Sequence, residues 1–173
     1  LDRKDFRIRL SVDKQSRLIT VSDNGIGMDK ADLENNLGVI ASSGSYKFKQ
    51  EVGEDSGDTD VIGQFGVGFY SAFMVADRIT VITKKLGSDT AYQWQSSGAD
   101  GYTITECEKD TVGTDILMYV KEDTEDETYS EFLESWRLQE LVRKYSDYIR
   151  YPIRMEVSKT RKKEDSPEDK PEY

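Results

Sequence analysis

Three glycine-rich segments contain the residue types of this chain that could bind a ligand. The first, DNGIGM at residues 23–28, places the carboxylate of Asp23 at the end of a predicted strand. A carboxylate in that position can accept a hydrogen bond from an exocyclic amine such as that of adenine, and glycine lets a flat base approach the backbone. The same letters also describe an ordinary turn, in which Asp23 and Asn24 are common residues. Taken alone, this segment leaves both interpretations open.

The other two segments suggest a hinge and an anion site. LGVIASSGS at residues 37–45 has the small residues of a hinge or tight turn, and a helix end followed by a loop is the simpler alternative. GQFGVG at residues 63–68 precedes a predicted apolar helix, and backbone N–H groups at a helix N-terminus bind phosphate without a lysine. This segment lacks the context of a dinucleotide fold and the Gly-Lys-Ser/Thr of a P-loop. Together the three segments predict an adenine-nucleotide site outside the two commonest nucleotide folds.

The composition narrows the classes of function. A chain of 173 residues with 36% hydrophobic residues suits one globular domain with its own core. The absence of histidine argues against a Ser-His-Asp hydrolase and against a mixed-ligand zinc site. The net charge of -10 disfavours nonspecific binding to nucleic acid or to an anionic membrane. Cys107 is the single cysteine, so no internal disulfide can form, and we predict a partly buried thiol in a cytoplasmic protein.

The elements that must position these segments are strands and helices in mixed order. Alternating apolar residues predict an antiparallel hairpin over residues 6–12 and 18–21, and Asp29 is suited to cap a helix that runs through Leu37. The order predicts an α+β fold, a two-layer sandwich with a mostly antiparallel twisted sheet covered on one face by helices. The other predicted elements are a helix at 69–75, strands at 79–82, 91–95, 102–104 and 114–120, a helix at 129–149 and a strand at 153–157.

The long helix predicted at residues 129–149 is strongly amphipathic. An acidic stretch, residues 122–127, precedes its N-terminus, where negative charge is favourable, and Pro152 follows its end. Apolar residues recur along it at helical spacing, which predicts one face against the core. The residues predicted on that face are Phe132, Leu133, Trp136, Leu138, Leu141, Val142 and Tyr145.

The glycine-rich segments together resemble a known superfamily of ATPases. DNGIGM at residues 23–28 is similar to the adenine-binding motif shared by gyrase, heat-shock protein 90, histidine kinases and the mismatch-repair protein MutL. LGVIASSGS at 37–45 with IGQFGVGFYS at 62–71 narrows the resemblance to the N-terminal ATP-binding domain of the heat-shock protein 90 family, with details most similar to its bacterial members. KYSDYI at 144–149, followed by YPI at 151–153, resembles the end of that domain.

The resemblance implies a set of residues that bind ATP or ADP with Mg²⁺. Asp23 would accept the adenine amine, with Thr114 beside it through a water. Gly27 and Met28 would line the base pocket, and Asn36 would lie near the sugar and phosphates. The backbone N–H groups offered to the phosphates would be those of Gly66, Val67, Gly68 and Phe69. Core packing is the alternative role for the side chains of Met28 and Phe69.

The resemblance also implies domain boundaries and shows where this chain departs from the family. Residues 1–158 would form the N-terminal ATP-binding domain, with a lid at about 44–63, and residues 159–173 would form a charged linker toward a missing middle domain. Ser42 stands where many members have lysine. The family also has an earlier helix with a glutamate that activates water and an asparagine that holds magnesium, and residues 1–5 do not match it. We therefore expect no catalytic residue or metal ligand in this chain, poor ATP hydrolysis by it, and lower stability or an exposed apolar groove.

The predicted function is that of the ATP-binding module of an ATP-dependent molecular chaperone, in which nucleotide state drives lid closure and dimer contact. The longer protein would be an ATPase and a cytoplasmic homodimer of the stress response that assists unfolded or client proteins and binds neither nucleic acid nor membrane. A DNA-acting ATPase of the same superfamily, a topoisomerase or mismatch-repair protein, is the first alternative, and the net charge of -10 argues against it. The second alternative is a module that binds nucleotide without hydrolysing it.

Overall fold

The computed structural model describes residues 5–38, 69, 72–98, 101–145 and 151–155. Its strands are β1 (Ile8–Asp13), β2 (Leu18–Asp23), β3 (Ala76–Lys84), β4 (Ala91–Gly98), β5 (Gly101–Cys107), β6 (Gly113–Val120) and β7 (Ile153–Met155). Within the described ranges they form one seven-stranded sheet in the order β5-β4-β3-β6-β2-β1-β7. Every neighbouring pair is antiparallel except β1 and β7, which are parallel. The prediction of a mostly antiparallel sheet is confirmed.

The first two strands form the predicted hairpin. β1 begins at Ile8, two residues later than predicted, and β2 continues to Asp23. The turn between them is held by Asp13, whose Oδ1 accepts the backbone N–H of Gln15 at 3.0 Å and that of Ser16 at 3.2 Å. A short polar side chain can replace backbone partners in a turn in this way, which is why aspartate is common there.

The helices cover one face of the sheet. Because paired residues in antiparallel strands point to the same side, the apolar residues of neighbouring strands line up on that face. Two helical segments supply the other half of the core, since Leu33 and Leu37 pack on one part of the face and Leu133 and Leu138 on another. The sheet residues buried with them are Ala76, Ile79, Val81 and Trp94 in the first cluster and Leu10, Ile19 and Val120 in the second. This arrangement confirms the predicted α+β sandwich.

The helix after β2 begins where the sequence predicts. Asp29 is its N-cap, and its carboxylate accepts the backbone N–H of Asp32 at 2.9 Å. In return the Asp32 carboxylate accepts the backbone N–H of Asp29 at 3.0 Å, so two N–H groups that a helix start leaves without partners are satisfied. The α-helix proper, α1, is short (Lys30–Leu33), and it continues as a π-helical turn over Glu34–Gly38.

The prediction of one long helix at residues 129–149 is wrong. A 3₁₀ helix over Tyr129–Leu133 ends at Glu134, which is extended, and the α-helix α2 then runs over Ser135–Tyr145. At about 100° per residue, Leu133 and Leu138 would lie about 140° apart on a continuous helix, so both could not face the core. The break at Glu134 lets both be buried, and it turns Trp136, predicted on the core face, outward with 62% of its surface exposed.

The acidic stretch before this region acts as predicted, although on the 3₁₀ helix. The Asp123 carboxylate accepts the backbone N–H of Ser130 at 2.7 Å and its hydroxyl at 2.5 Å. These bonds lower the pKa of Asp123. A carboxylate in this position offsets the partial positive charge of the helix start.

The predicted helix at 69–75 is also shorter than expected. Phe69 is helical, but Ala72–Met74 form a single 3₁₀ turn, and β3 begins at Ala76, three residues before the predicted strand. Apolar residues such as those between 69 and 76 suit a buried helix or a buried strand equally, so periodicity does not place the boundary. At the end of β5, Cys107 is half-buried, as predicted, and burial raises the pKa of its thiol.

Several predictions lie outside the described residues. They concern most of the segment at 37–45, the lid at 44–63, the phosphate segment at 63–68 and the linker at 159–173. In the part of the chain that the structure does describe, no helix has both the length and the hydrophobicity to cross a membrane.

Candidate functional site

At one end of the covered face, three polar side chains take the place of apolar ones. Asp23 ends β2, Thr114 stands at the start of β6, and Thr83 stands near the end of β3. Thr114 is paired with Asp23 on one side and with Thr83 on the other. Paired residues point to the same face, so these three residues form a polar row at the edge of the apolar core. A row of this kind can recognise the polar edge of a flat ligand whose body contacts the core.

Asp23 is the charged member of the polar row. Its side chain is half-buried, and its Oδ1 accepts the backbone N–H of Gly25 at 2.9 Å, which fixes the turn after β2. Burial raises the pKa of Asp23, while the backbone N–H groups of Gly25 and Thr114 oppose that rise. An ionised carboxylate has room for about four hydrogen bonds, so Asp23 can accept further donors beside the one that holds the turn.

The two threonines of the polar row are joined by buried hydrogen bonds. Thr83 is fully buried, and its Oγ1 lies 2.9 Å from Oγ1 of Thr114. The same Oγ1 of Thr83 accepts the backbone N–H of Met28 at 2.9 Å and donates to the carbonyl of Gly113 at 3.2 Å. Thr83 therefore connects two strands, β3 and β6, to the loop that follows β2.

Gly27 places that loop, which comprises residues 25–28, against the end of β3. Its φ is +67°, and a Cβ at this position would overlap the carbonyl oxygen of Lys84. Next to it, the backbone N–H of Leu86 donates to the carbonyl of Ile26 at 2.7 Å. The sequence suggested that glycine here admits a flat base to the backbone. The structure gives another reason for glycine, which is the close approach of the protein's own backbone.

A second group of charges fixes the loop from the helix side. Nζ of Lys85 lies 3.0 Å from Oδ2 of Asp29 and 2.7 Å from Oδ2 of Asp32, the two residues that cap α1. The bonds to Asp32 and Asp29 raise the pKa of Lys85, and the bond from the Asp32 backbone lowers the pKa of Asp29. The start of α1 is thus tied to the turn after β3, on the same side as the polar row.

The side chains of Met28 and Phe69 both pack against the first apolar cluster. The Phe69 ring meets Trp94 edge-on at 5.5 Å between ring centroids and Phe73 at 6.5 Å. Both side chains therefore pack in the core, which is the alternative role that the sequence left open. These contacts concern the side chain of Phe69 and do not test the role predicted for its backbone N–H.

The structure brings part of the predicted site together. Asp23, Gly27, Met28 and Thr114 lie at the same end of the sheet and are linked through shared hydrogen bonds and close backbone contacts. Asn36 lies on the π-helical turn after α1, with its side chain exposed. The predicted phosphate residues Gly66, Val67 and Gly68 lie outside the described residues.

Thr83 is the member of the site that sequence reasoning missed. A signal was present, because Ile79, Val81 and Thr83 alternate along β3 and the first two are buried. A threonine in line with the buried apolar residues of a strand points to the core and needs a hydrogen-bond partner there, which makes it a candidate for a buried polar site. What the sequence does not contain is the register that places it opposite Thr114.

Comparison with known proteins agrees with this geometry. The family described as histidine kinase-, DNA gyrase B-, and HSP90-like ATPase matches residues 3–130, and the family described as Hsp90 protein matches residues 131–173. Among curated proteins, Chaperone protein HtpG of Clostridium acetobutylicum and that of Clostridium botulinum strain Hall are each 55% identical over 172 residues. Chaperone protein HtpG of Clostridium perfringens strain 13 is 54% identical over the same length.

These matches cover 99% of this chain and 27% of each relative, so the chain spans about a quarter of the length of the curated proteins it matches. The resemblance seen in the glycine-rich segments, including the bacterial branch, is confirmed. The chain belongs to the heat-shock protein 90 family, within the histidine kinase-, DNA gyrase B- and HSP90-like ATPases.

Proposed function

We propose that this chain is the ATP-binding module of an ATP-dependent molecular chaperone. The observation that carries the proposal is Asp23, a half-buried carboxylate at the edge of the apolar core whose pKa is raised by burial. An ionised carboxylate in such a place has lost part of its hydration, so a ligand that donates a hydrogen bond restores what burial removed. The exocyclic amine of adenine is a donor of this kind.

The residues beside Asp23 suit a flat base. Thr114 adds a hydroxyl next to the carboxylate, and it would reach the base through a water. Gly27 and Met28 line one side of the pocket, where the half-buried Met28 offers apolar surface to the ring. The base would then lie with its polar edge on the polar row and its face on apolar atoms, as small-molecule sites commonly arrange.

The other predicted residues would bind the sugar and the phosphates of the nucleotide. Asn36 would lie near the sugar and phosphates, and the backbone N–H groups of Gly66, Val67, Gly68 and Phe69 would hold the phosphates. Among the described residues there is no group of three or more His, Cys, Asp or Glu that could hold a metal ion. Mg²⁺ commonly binds through one or two carboxylates plus the phosphates of a nucleotide, so it would come with the ATP or ADP and needs no cage of side chains.

The activity of the longer protein is part of the same proposal. The family model that matches residues 3–130 is described as an ATPase, which supports ATP hydrolysis by the longer protein. The relatives are named chaperones, which supports the handling of unfolded or client proteins and favours a chaperone over a topoisomerase or mismatch-repair protein. A homodimer whose lid and dimer contacts follow nucleotide state, acting in the cytoplasm, remains the proposed form of that protein. Residues 1–158 remain the proposed ATP-binding domain, and 159–173 the proposed linker.

Thermal unfolding with and without Mg-ADP tests the binding proposal. At a nucleotide concentration about a hundred times its Kd, binding adds about 2.7 kcal/mol to the free energy of unfolding. For a domain of this size the Tm should rise by about 5–10 °C. Asp23→Asn should abolish the rise, because Oδ1 accepts the N–H of Gly25 and the amide would replace the other acceptor oxygen with an NH₂ donor that faces the amine of the base.

Asp13→Asn is the matched control. Like Asp23, Asp13 holds a turn by accepting the backbone N–H of the residue two positions later, at 3.0 Å for Asp13 and 2.9 Å for Asp23. Asp13 lies at the opposite end of the β1–β2 hairpin from Asp23. Its asparagine variant should keep the full nucleotide-dependent rise. If the native chain shows no rise, or if Asp23→Asn keeps it, the proposed adenine site is refuted.

A further inference from the structure

We propose that Thr83 is a specificity-determining residue, which orients the hydroxyl of Thr114 so that the pocket accepts a base carrying an amine and rejects one carrying a carbonyl at the same position. The inference rests on the proposed function, since it concerns the edge of the base that the polar row would read. Thr83 itself is fully buried and would not touch the nucleotide. It acts through Thr114.

The argument begins with the three contacts of Oγ1 of Thr83. This oxygen accepts the backbone N–H of Met28 at 2.9 Å, lies 3.2 Å from the carbonyl oxygen of Gly113, and lies 2.9 Å from Oγ1 of Thr114. A threonine hydroxyl has one proton to donate and two lone pairs with which to accept. The carbonyl of Gly113 can only accept, so the proton of Thr83 must point to it if that contact is to be made.

This assignment decides the direction of the bond between the two threonines. With its own proton on the Gly113 carbonyl, Thr83 can only accept from Thr114. The alternative, in which Thr83 donates to Thr114, leaves the contact to the buried Gly113 carbonyl unmade. The assignment that uses all three contacts is favoured, because it lets the Thr83 hydroxyl donate its one proton and accept two hydrogen bonds, which is its full capacity.

As a consequence, the edge of the proposed pocket formed by Thr114 and Asp23 presents only hydrogen-bond acceptors to the base. The proton of Thr114 is directed inward to Thr83, so the side of its Oγ1 that faces the pocket has only lone pairs. The water proposed between Thr114 and the base must then donate one proton to Thr114 and can donate the other to Asp23, which leaves its oxygen as an acceptor for the base. Asp23, paired with Thr114 across the strands, is an acceptor as well when ionised. An exocyclic amine, as on adenine, meets acceptors with a donor. The carbonyl oxygen of hypoxanthine or guanine meets them with a third acceptor and is repelled.

Without the Thr83 hydroxyl, the Thr114 proton loses its buried partner and can turn toward the pocket. Thr114 could then donate to the water proposed between it and the base, and that water would have a proton free for a base carbonyl. Thr83→Val keeps the volume of the side chain and removes the hydroxyl. Thr83→Ser keeps the hydroxyl and removes a methyl group, so it separates the hydrogen-bonding role from the packing role.

The test is the ratio of affinities for ADP and IDP, the diphosphates of adenosine and inosine, measured by calorimetric titration of the 173-residue chain and its variants. ADP and IDP share sugar and phosphates. Their bases differ at C6, which carries an amine in ADP and a carbonyl in IDP, and at N1, which is an acceptor in ADP and an N–H donor in IDP. Because this difference is the same for every variant, a change in the affinity ratio reports on the substitution at Thr83. The native chain should prefer ADP. One hydrogen bond gained or lost corresponds to about a tenfold change, so Thr83→Val should lower the ADP-to-IDP ratio by about tenfold. Thr83→Ser should keep the native ratio.

The ratio distinguishes the proposal from a structural role. If Thr83 only held the loop in place, Thr83→Val would weaken both nucleotides by the same factor and the ratio would not change, which would overturn the proposal. If the valine variant does not fold, Thr83→Cys replaces it. A thiol donates and accepts only weakly, so a ratio between the native and tenfold-reduced values supports the proposal and a native ratio contradicts it. A native chain that binds neither nucleotide refutes the proposed function and this inference with it, whereas native ADP binding with an unchanged variant ratio refutes the inference alone.

Discussion

Gly27 and Lys84 approach so closely that a Cβ on residue 27 would overlap the carbonyl oxygen of Lys84. This contact joins the loop after β2 to the end of β3, and the bond from Leu86 to Ile26 lies beside it at 2.7 Å. The backbone of Gly27 also has a φ of +67°, a region that residues with a Cβ rarely adopt. The position of the candidate base pocket therefore depends on a residue that has no side chain.

Gly27→Ala should destabilise the folded chain severely. The variant combines an unfavourable φ with an overlap against backbone that cannot move aside as a side chain could, so we expect a loss on the order of 3 kcal/mol or more in the free energy of unfolding. Urea denaturation followed by circular dichroism measures this loss.

Gly87→Ala is the matched control for that variant. Gly87 has a φ of +83°, but a Cβ there would meet nothing within 4 Å. Its alanine variant therefore carries the backbone strain alone, which costs about 1–2 kcal/mol. Equal losses for the two variants would contradict the close contact between Gly27 and Lys84.

Asp23→Asn should separate stability from binding. Burial raises the pKa of Asp23 in the folded chain, so the folded state holds this proton more tightly than the unfolded state does. The stability that Asp23 contributes is then full below its unfolded pKa and is lost as the pH rises through the folded value. Asparagine cannot ionise, so without nucleotide the variant should unfold within about 2 °C of the native chain at pH 7, or above it. Its Tm relative to the native chain should increase from about pH 4 upward.

Asp13→Asn should show the opposite trend with pH. The backbone N–H and the hydroxyl of Ser16 lower the pKa of Asp13, so its contribution to stability is present above its unfolded pKa and is lost as the pH falls through the folded value. The asparagine variant should therefore lose stability relative to the native chain as the pH rises from the folded pKa of Asp13 to its unfolded pKa, a range that lies below the one for Asp23. Thermal melts of both variants between about pH 3 and 7 provide the comparison, and parallel trends would be inconsistent with a desolvated Asp23.

The break at Glu134 predicts unequal effects for two neighbouring apolar residues. Leu133 is 4% exposed in the second apolar cluster, and Trp136 is 62% exposed. Leu133→Ala should cost about 2–5 kcal/mol because it leaves a cavity, whereas Trp136→Ala should change the free energy of unfolding by about 0.5 kcal/mol or less. Chemical denaturation of the two variants measures the difference. A large cost for Trp136→Ala would mean that the helix is continuous, with the face that the sequence predicted.

Local chemistry predicted the parts of this fold that depend on neighbours in the sequence. The hairpin over residues 6–12 and 18–21 and the helix start at Asp29 were predicted from residue type and spacing. The hairpin turn is held by Asp13 and the helix start by Asp29, each through bonds to residues two or three positions away. The break between Leu133 and Leu138 could not be predicted, because an unbroken apolar pattern does not reveal which residues the sheet has room for.

The site shows the same division between local and distant information. Asp23 was found from its own segment, and Thr114 only from the resemblance to a family, since nothing near residue 114 points to residue 23. Their pairing depends on the register between β2 and β6. Thr83 was missed because its pairing with Thr114 also depends on strand register. The need for glycine at residue 27 was explained by a bound base, because Lys84, whose backbone approaches Gly27, lies far along the chain.

The most direct test of the central claim is a crystal structure of this chain with ADP. The account predicts that the amine of adenine lies within hydrogen-bond distance of an Asp23 carboxylate oxygen, with Thr114 at the same edge of the base and Met28 against its ring. A nucleotide bound elsewhere on the chain, or bound here with its amine turned away from Asp23, would contradict the account.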